Sequence, residues 1–484
     1  MTSSPDLYTC LGVARTASPE DIQLAFRQAA RRFHPDTNPD PSASEEFKLV
    51  AHAHDVLSDA RQRADYDAGA APETIVVTLA TTGSREHLRP VDEPQAVYYL
   101  VNISATAPAV FPAPPLNVCL VIDRSTSMQG PRLDQVKAAA AQLIEGLKPN
   151  DQFSVVAFSD RAEVILSAQQ SRNKSAAVSR VSTISAGGGT EILQGLTAGL
   201  QELQNSFNGR AVNQLVLLTD GRTYGDEDDC LLLATLAERD GITISGLGIG
   251  DEWNDEFLDR LAAATGGESN YIGSPPAVKK QLADQLHRLG NTMAQHLRLQ
   301  VTCDPEIELR SAFRVAPNPG PLLPAMQPLR LGNLRHGDTV SVLLEFLVEK
   351  AGVGIHNVAR LSAISDVLSV GSTNERWQAD LQLPVADKPA AVPPLAIIQA
   401  LDKVTLYHLQ EKAWAAIEGG DVVMATRRLE RVASKLLAGN EPELAGVVMR
   451  EIDRVGNTQQ VSAEGRKRIK YGTRALIAAP RDTR

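Results

Sequence analysis

The spacing of apolar residues along the first part of the chain is helical. From residue 18 onward, Ser18, Pro19 and Asp21 form a helix-start pattern in which Ser18 caps the helix and Asp21 completes a capping box. An apolar face follows at intervals of three or four residues, made by Ile22, Phe26, Ala30 and Phe33. A second amphipathic helix is predicted in EEFKLVAHAHDVLSD. We therefore expect an all-α unit over residues 5–68.

Two later regions have the apolar pattern of β-strands. TIVVTLA and AVYYLVNISA lie within residues 73–104, and LRLQVTC, TVSVLLEFLV and WQADLQL lie within residues 296–384. The first region offers about two strands, too few to be stable in water without further partners. We therefore predict that residues 73–104 and 296–384 combine into one discontinuous β-sandwich.

Between these regions, residues 116–290 alternate short apolar runs with amphipathic helical patterns. The runs are LNVCLVID, DQFSVVAFSD, NQLVLLTD and ITISGLGIG. Such alternation is typical of a parallel sheet covered by helices on both faces. The fold class predicted for the whole chain is therefore multidomain, with a doubly wound α/β domain inserted in the β-sandwich.

Residues 395–476 are predicted to form an α-helical C-terminal tail. Leucines, alanines and Trp414 recur at helical spacing, which indicates a core stripe, and Gly419-Gly420-Asp421 marks a helix stop and restart. The segment KRIKYGTRAL at 467–476 is basic, and we expect it to be a solvated helix face.

Composition narrows the possible functions. The 484-residue chain has a net charge of −10 and is 43% hydrophobic. This charge argues against general binding to nucleic acid or anionic membranes, and no apolar run reaches the roughly 20 residues of a membrane span. Four separated cysteines without a CxxC pair predict reduced thiols and no zinc site. Without a signal-peptide pattern at the start, we expect a cytoplasmic protein.

The segment RRFHPDTNPD at 31–40 contains a His-Pro-Asp triplet between the two N-terminal helices. A plain exit from helix to turn would explain the triplet alone, because proline disfavours helical geometry in the residue before it. However, DLYTCLGV, the basic helix, HPD, the EEFK helix and RQRADYD follow one another in a specific order. In that order, residues 5–68 resemble a DnaJ-type J domain, with Phe26 and His54 where the family usually has tyrosine.

That resemblance implies a docking surface for a DnaK-type chaperone whose ATP hydrolysis it stimulates. The residues that would dock are Arg27, Arg31, Arg32, His34, Pro35 and Asp36. Arg27 and Arg31 are four positions apart, so they present two cations on one helical face to an acidic partner. A chain without a Gly/Phe-rich segment or cysteine zinc modules resembles the class in which the remaining domains select the client.

Polar residues at the ends of apolar runs predict a second site. Asp123, Ser125 and Ser127 follow the strand LNVCLVID, Thr190 follows a glycine-rich loop, and Asp220 follows another apolar strand. Ordinary turn formation by Asp and Ser is the alternative explanation. Strand ends in open α/β sheets meet at one edge, so these side chains are able to converge. Two carboxylates and three hydroxyls form an all-oxygen set suited to Mg²⁺ or Mn²⁺, and not to zinc.

Residues 116–290 resemble a von Willebrand factor type A (VWA) domain with a metal-ion-dependent adhesion site. The resemblance implies Mg²⁺ (or Mn²⁺ or Ca²⁺) bound by Ser125, Ser127 and Thr190, directly or through water. It also implies that Asp123 and Asp220 mainly hold coordinating waters. One metal position would stay open for a carboxylate from a protein partner. Thr126 stands where the family often has glycine.

Together, these features predict a co-chaperone-like adaptor. Its J domain would stimulate a DnaK-type chaperone, and its metal-dependent domain would bind a client or complex that offers a carboxylate. The alternative is a VWA scaffold or adhesion protein in which the J domain is only an assembly module. No catalytic residue is predicted, because no nucleophile or phosphate-binding loop is recognisable, and we expect no enzyme activity.

Overall fold

A computed structural model describes residues 7–13, 17–33, 41–59, 62–63, 75–106, 113–170, 173–223, 225–350, 354–368, 372–388 and 392–478 of the chain. The chain forms two compact units, Met1–Thr74 and Ile75–Arg484, which are described separately. The N-terminal unit contains helices α1 (Leu7–Leu11), α2 (Pro19–Phe33) and α3 (Pro41–Ser58).

The start of α2 confirms the capping box predicted from the sequence. The Asp21 backbone N–H donates to Ser18 Oγ at 3.2 Å, and the Ser18 backbone N–H donates to Asp21 Oδ2 at 2.9 Å. This reciprocal pair satisfies two donors that a helix start would otherwise leave without partners. The apolar faces of α1, α2 and α3 pack into a small core around Tyr8, Ile22 and Leu57.

The second unit is built from fifteen strands and ten further helices among the described residues. The strands are β1 (Val76–Gly83), β2 (Gln95–Thr106), β3 (Leu116–Asp123), β4 (Gln152–Phe158), β5 (Ala162–Gln170), β6 (Val212–Thr219), β7 (Thr243–Ile249), β8 (Ser269–Ile272), β9 (Thr292–Cys303), β10 (Ile307–Ala316), β11 (Gly320–Leu322), β12 (Leu329–Arg335), β13 (Thr339–Val348), β14 (Ile355–Val367) and β15 (Ser372–Pro384). The helices are α4 (Pro131–Gly146), α5 (Lys174–Ser182), α6 (Ile192–Asn205), α7 (Glu227–Arg239), α8 (Asp255–Ala264), α9 (Ala277–Gly290), α10 (Leu395–Glu418), α11 (Val422–Ala438), α12 (Pro442–Thr458) and α13 (Ala463–Ala478).

The central sheet has six strands in the order β5-β4-β3-β6-β7-β8. All neighbours run parallel except β5, which pairs antiparallel with β4 at one edge and was not predicted from the sequence. Successive residues of β3 face opposite sides, since Leu120 and Ile122 pack with α4 while Cys119 and Val121 pack with α6. Because both faces are covered, β3 is apolar at every position from Val118 to Ile122 and does not alternate.

The β-sandwich consists of one sheet ordered β1-β2-β13-β10-β11 and a second ordered β12-β9-β14-β15. β2 comes before the central sheet in the chain, yet it pairs antiparallel with β13 over ten residues, from Gln95↔Val348 to Ser104↔Thr339. The predicted fold class, an α/β domain inserted in a sandwich, is therefore confirmed. The domain limits assigned from the sequence stay predictions.

The sandwich and the central α/β domain meet at a closely packed junction. The backbones of Gly266 and Gly332 nearly touch, since a Cβ built on Gly266 would lie 2.7 Å from the Gly332 Cα. Beside them, the buried Arg335 guanidinium donates to Glu268 Oε1 at 2.6 Å. Burial would by itself raise the pKa of Glu268, but Arg335 and Arg288 outweigh it and lower that pKa to about 2. This buried pair fixes one domain against the other.

Helices α10–α13 form the C-terminal region and attach to both other parts of the unit. Ile397, Ala400 and Tyr407 of α10 cover the outer face of the first sandwich sheet at Leu100 and Leu343. The predicted stop and restart is present, because α10 ends at Glu418 and α11 begins at Val422. Trp414 is 4% exposed within the helical core, as the apolar stripe predicted.

Candidate metal centre

The carboxyl ends of β3 and β6 bring two buried aspartates to the same edge of the central sheet. Asp123 is the last residue of β3, and Asp220 directly follows β6. The two strands are parallel neighbours in register at Ile122 and Leu218, so their ends lie side by side. Asp123 and Asp220 are each 0% exposed.

The Asp123 carboxylate is fixed by donors to both of its oxygens. Its Oδ1 accepts the backbone N–H of Ser125 at 2.8 Å, and its Oδ2 accepts the hydroxyl of Thr219 at 2.6 Å. Burial, the largest effect, raises the pKa of Asp123 to about 6, and the nearby Asp220 adds to this, while bonds from Ser125 and Thr219 oppose it. Thr219 was not identified from the sequence, although it is the last residue of an apolar strand.

Two serine hydroxyls connect this aspartate to the second one. Ser125 Oγ and Ser127 Oγ are 3.0 Å apart, and Ser127 Oγ donates to Asp220 Oδ1 at 2.7 Å. A short 3-10 helix, Thr126–Met128, turns the chain here and directs both serines to the sheet edge. Four of the five predicted oxygen-bearing residues are therefore linked in one chain of contacts.

Thr190, the fifth predicted residue, reaches the same edge from the glycine-rich loop. Thr190 is 9% exposed, and a Cβ built on Gly221 would lie 3.1 Å from its hydroxyl, which places it beside the residue after Asp220. The loop is tied to the serine turn because the backbone N–H and the hydroxyl of Thr126 both donate to Gly188 O, at 3.1 and 2.9 Å. The threonine that departs from the family pattern thus joins two segments of the site.

Asp160 holds the other side of the same loop and was missed by sequence reasoning. Its Oδ1 accepts the Gly189 backbone N–H at 2.8 Å. A Cβ on Gly188 would lie only 2.6 Å from Asp160 Oδ2, and Gly188 has a φ of +88°, so both space and backbone geometry favour glycine there. The glycines of GGGTEI therefore let Asp160 approach and position Thr190.

Arg132, in the first turn of α4, supplies a cation to the site. Its Nη1 donates to Asp220 Oδ2 at 2.5 Å and to the Ser127 carbonyl at 3.3 Å. Its side chain is 36% exposed whereas that of Asp220 is fully buried. The spacing of Arg132 in the sequence gave no signal of this role.

The donor set fits a hard divalent cation. Two carboxylates and three hydroxyls from three segments of chain converge, and hard oxygen donors are the ligands that Mg²⁺, Mn²⁺ and Ca²⁺ prefer. Across the part of the chain that the structure describes, no group of three His, Cys, Asp or Glu side chains forms a metal site. A cation at this edge would therefore depend on the serine and threonine hydroxyls as well as on the two aspartates.

Comparison with known families identifies the domains. Residues 6–67 match the DnaJ domain, residues 117–284 match the von Willebrand factor type A domain, and residues 395–479 match the Sll0103-like, C-terminal alpha-helical domain. The chain carries a DnaJ domain and a VWA domain. Both resemblances drawn from the sequence are thereby confirmed, and the third match extends them to helices α10–α13.

Similar proteins share different parts of this arrangement. An uncharacterized protein, sll0103 of Synechocystis, is 29% identical over 76% of this chain and 89% of its own length. The chaperone protein DnaJ of Leifsonia xyli is 56% identical over 66 residues, which are 14% of this chain and 18% of that protein. The chain thus spans less than a fifth of that chaperone. It combines a DnaJ domain with a VWA domain.

Two solved structures share the fold of the larger unit. The von Willebrand factor type A protein from Catenulispora acidiphila has a TM-score of 0.68 at 17% identity, over 83% of this chain and 96% of its own. The ArnB paralog VWA2 from Sulfolobus acidocaldarius has a TM-score of 0.53 at 16% identity, over 82% and 99%. At these identities, the likeness concerns the fold alone.

Part of the predicted docking surface on the DnaJ domain lies within the residues that the structure describes. Arg27, Arg31 and Arg32 lie on α2 and are exposed, while His34, Pro35 and Asp36 fall outside the residues that the structure describes. His54 stacks on Phe26 with ring centroids 4.1 Å apart. The two departures from the family's tyrosines thus pair with each other and retain an aromatic contact between α2 and α3.

Among the helices in the described ranges, none is both long enough and apolar enough to cross a bilayer.

Proposed function

We propose that this chain is a co-chaperone-like adaptor, which brings protein partners to a DnaK-type chaperone. The DnaJ domain would dock through Arg27, Arg31, Arg32, His34, Pro35 and Asp36 and stimulate ATP hydrolysis by the chaperone. The exposure of three of these, all arginines, on α2 supports this role, because cations on an open helix face attract an acidic partner and raise its rate of association.

The VWA domain would hold the partner through a divalent cation, Mg²⁺ or else Mn²⁺ or Ca²⁺. Asp123, Ser125, Ser127, Thr190 and Asp220 are its proposed site, and their convergence at one sheet edge is the observation that carries the proposal. A bound cation would offer a positive, open coordination position to a carboxylate. The chain's own residues would orient that cation through the fixed carboxylate of Asp123 and the hydroxyl contacts between Ser125, Ser127 and Asp220.

Binding, and not catalysis, is the role that this chemistry supports. The side chains that donate to the proposed metal donors are serine, threonine and arginine, which position oxygen atoms but are poor general bases near neutral pH. The net charge of −10 is unfavourable for nucleic acid. We propose a cytoplasmic location, where a DnaK-type chaperone and reduced thiols would both be present.

An ATPase assay tests the first half of this function. The full chain, added to a purified DnaK-type chaperone, should raise the rate of ATP hydrolysis, and substituting Arg27 and Arg31 by alanine should reduce the effect. The matched control is Gln23→Ala, at an exposed position of the same helix. A chain that leaves the ATPase rate unchanged would favour the scaffold or adhesion alternative, in which the DnaJ domain only assists assembly.

Isothermal titration with Mg²⁺, Mn²⁺ and Ca²⁺ tests the second half. We expect one site per chain, and partner capture that is lost in chelator and restored by the cation. Partner capture that persists unchanged in chelator would show that binding of the partner does not require the cation.

A further inference from the structure

The loop that follows β7, residues 250–254, is held by donors from three different parts of the molecule. Four successive carbonyl oxygens accept side-chain hydrogen bonds: Gly250 O from Trp253 Nε1 at 2.7 Å, Asp251 O from Lys467 Nζ, Glu252 O from Arg222 Nε at 2.9 Å, and Trp253 O from Lys467 Nζ at 2.8 Å. A loop with every one of these carbonyls engaged has little freedom to move without breaking a bond.

On one side, this loop contacts the proposed metal edge. Arg222, which donates to it, lies two residues after Asp220. Gly250 packs against Arg132, the arginine that donates to Asp220, because a Cβ built on Gly250 would lie 3.2 Å from Arg132 Nη2. Gly250 has a φ of +71°, a conformation that side chains rarely adopt. The loop therefore limits the positions available to both arginines near Asp220.

On the other side, α13 of the C-terminal helical domain binds the loop through Lys467. Lys467 is 3% exposed, and its ammonium lies 4.7 Å from the centroid of the Trp253 ring, over its face. Trp253 in turn covers Gly248 of β7, where a Cβ would fall 1.9 Å from a ring carbon. A buried lysine that binds two backbone carbonyls and an aromatic face is a strong anchor.

Further contacts fix α13 itself on the VWA domain. Arg474 binds both oxygens of Asp259, at 2.9 and 2.7 Å, and Lys470 Nζ lies 2.9 Å from Asp259 Oδ2 and also donates to Asp255. The hydroxyl of Tyr471 lies 3.2 Å from Ser269 Oγ. Basic and aromatic residues on one face of α13 thus meet an acidic face of α8.

We infer that α13 positions the metal edge of the VWA domain: Lys467 fixes the loop at 250–254, and the loop, through Arg222, fixes the chain that follows Asp220. Lys467 is a positioning residue, since its contacts are with the loop and not with the proposed donors. By thermodynamic linkage, a cation or partner that orders the edge also strengthens the docking of α13. The C-terminal helical domain is then part of the binding apparatus and more than an appended module.

Amide hydrogen exchange on the metal-free full chain tests the coupling, because it needs neither a cation nor an identified partner. Lys467→Met keeps the apolar stem but removes the donors. We expect at least tenfold faster exchange at residues 250–254 and also at 219–223, next to Asp220. The control, Arg468→Met, changes an exposed residue on the same helix and should leave both segments at wild-type rates. Faster exchange confined to 250–254 would overturn the inference.

A second variant approaches the same loop from the metal side. Arg222 is exposed, so Arg222→Gln should fold normally, and it removes only the donor to Glu252 O. It should speed exchange at 250–254 and at 463–471 of α13, and unchanged exchange in α13 would contradict the coupling even if Lys467→Met failed to fold.

Mn²⁺ titration then measures the consequence for the site, which rests on the proposed function. In Lys467→Met the bond from Arg132 to Asp220 stays in place, whereas the chain at Arg222, two residues after Asp220, loses its fixed partner in the loop. Because Asp220 is then held less well for the cation, the Mn²⁺ dissociation constant should rise at least threefold in Lys467→Met and stay unchanged in Arg468→Met. A wild-type affinity in Lys467→Met would refute positioning. If the wild-type chain bound no Mn²⁺, the proposed metal function would fail, and the exchange result would still decide the coupling.

Discussion

Arg132 donates to Asp220 Oδ2 at 2.5 Å, while Ser127 donates to the other oxygen of the same carboxylate at 2.7 Å. Asp220 is therefore shared between the chain's own cation and the hydroxyl network of the proposed metal site. Because Arg132 neutralises one of the two carboxylates and repels any nearby cation, it should weaken metal binding while stabilising the buried Asp220.

Arg132→Gln should consequently bind Mg²⁺ or Mn²⁺ more tightly than the wild-type chain. The expected gain is about three- to tenfold, or about 1 kcal/mol, since Arg132 is partly exposed and its charge is partly screened. Isothermal titration at 0.15 M salt measures it, with the exposed Arg180→Gln as control. Weaker metal binding in Arg132→Gln would show that the arginine organises the donor set and does not compete with the cation.

Asp123→Ala should have the opposite effect on metal affinity. The substitution removes a carboxylate that balances the cation and leaves the Thr219 hydroxyl and the Ser125 N–H without their acceptor. We expect metal affinity to fall at least tenfold and metal-dependent partner capture to be lost, while stimulation of the chaperone ATPase stays intact. Capture of the same partners by this variant, or by chelated wild type, would limit the metal to a structural role.

His34→Gln should abolish stimulation of a DnaK-type chaperone without loss of metal binding. The docking role of the HPD segment is inferred from the DnaJ resemblance, and the proposed metal site is formed by residues of a different domain. ATPase rates and an Mg²⁺ titration, measured on the same preparation, check the two halves of this expectation, and the melting temperature shows whether the variant is folded. Full stimulation by the variant would reject HPD docking.

Asp259→Asn tests the ion cluster between α8 and α13, and its effect should depend on pH. Burial would by itself raise the pKa of Asp259, but Arg474 and Lys470 outweigh it and hold the pKa well below the ordinary value of 3.8. An acid with a lowered folded-state pKa stabilises the fold at any pH above its unfolded-state pKa. This stabilisation is lost as the pH falls from the unfolded-state pKa through the folded-state pKa. The variant should therefore lose about 3–5 kcal/mol at pH 7, because the buried Lys470 and the half-buried Arg474 lose a partner.

Urea denaturation at pH 7, 5 and 3 measures this difference. The gap between wild type and Asp259→Asn should be constant from pH 7 to 5 and should narrow below about pH 4. Asp380→Asn is the control, because the side chains of Asp380 and Arg360 pair while both are exposed, and its midpoint should stay near that of the wild type. A gap that widens toward pH 3 would contradict the assigned direction of the pKa shift.

The amino-acid sequence by itself determined the features that depend on local pattern. The capping box at Ser18 and Asp21, the apolar strand β3 and the helix break before Val422 follow from residue types at fixed short spacings. The convergence of Asp123, Ser125, Ser127 and Asp220 was also predictable, because parallel strands in such a sheet carry their carboxyl ends to one edge.

Only the tertiary structure decided which distant charges meet. The basic segment of α13 was expected to be a solvated face, and this prediction was wrong: Lys467 and Lys470 are buried against the VWA domain. A basic stripe looks the same in the sequence whether water or an acidic helix faces it, and Asp259 lies more than 200 residues away from its partners. Arg132 and Asp160 escaped prediction for the same physical reason, since their roles depend on contacts that chain folding creates between separate segments and that no local spacing encodes.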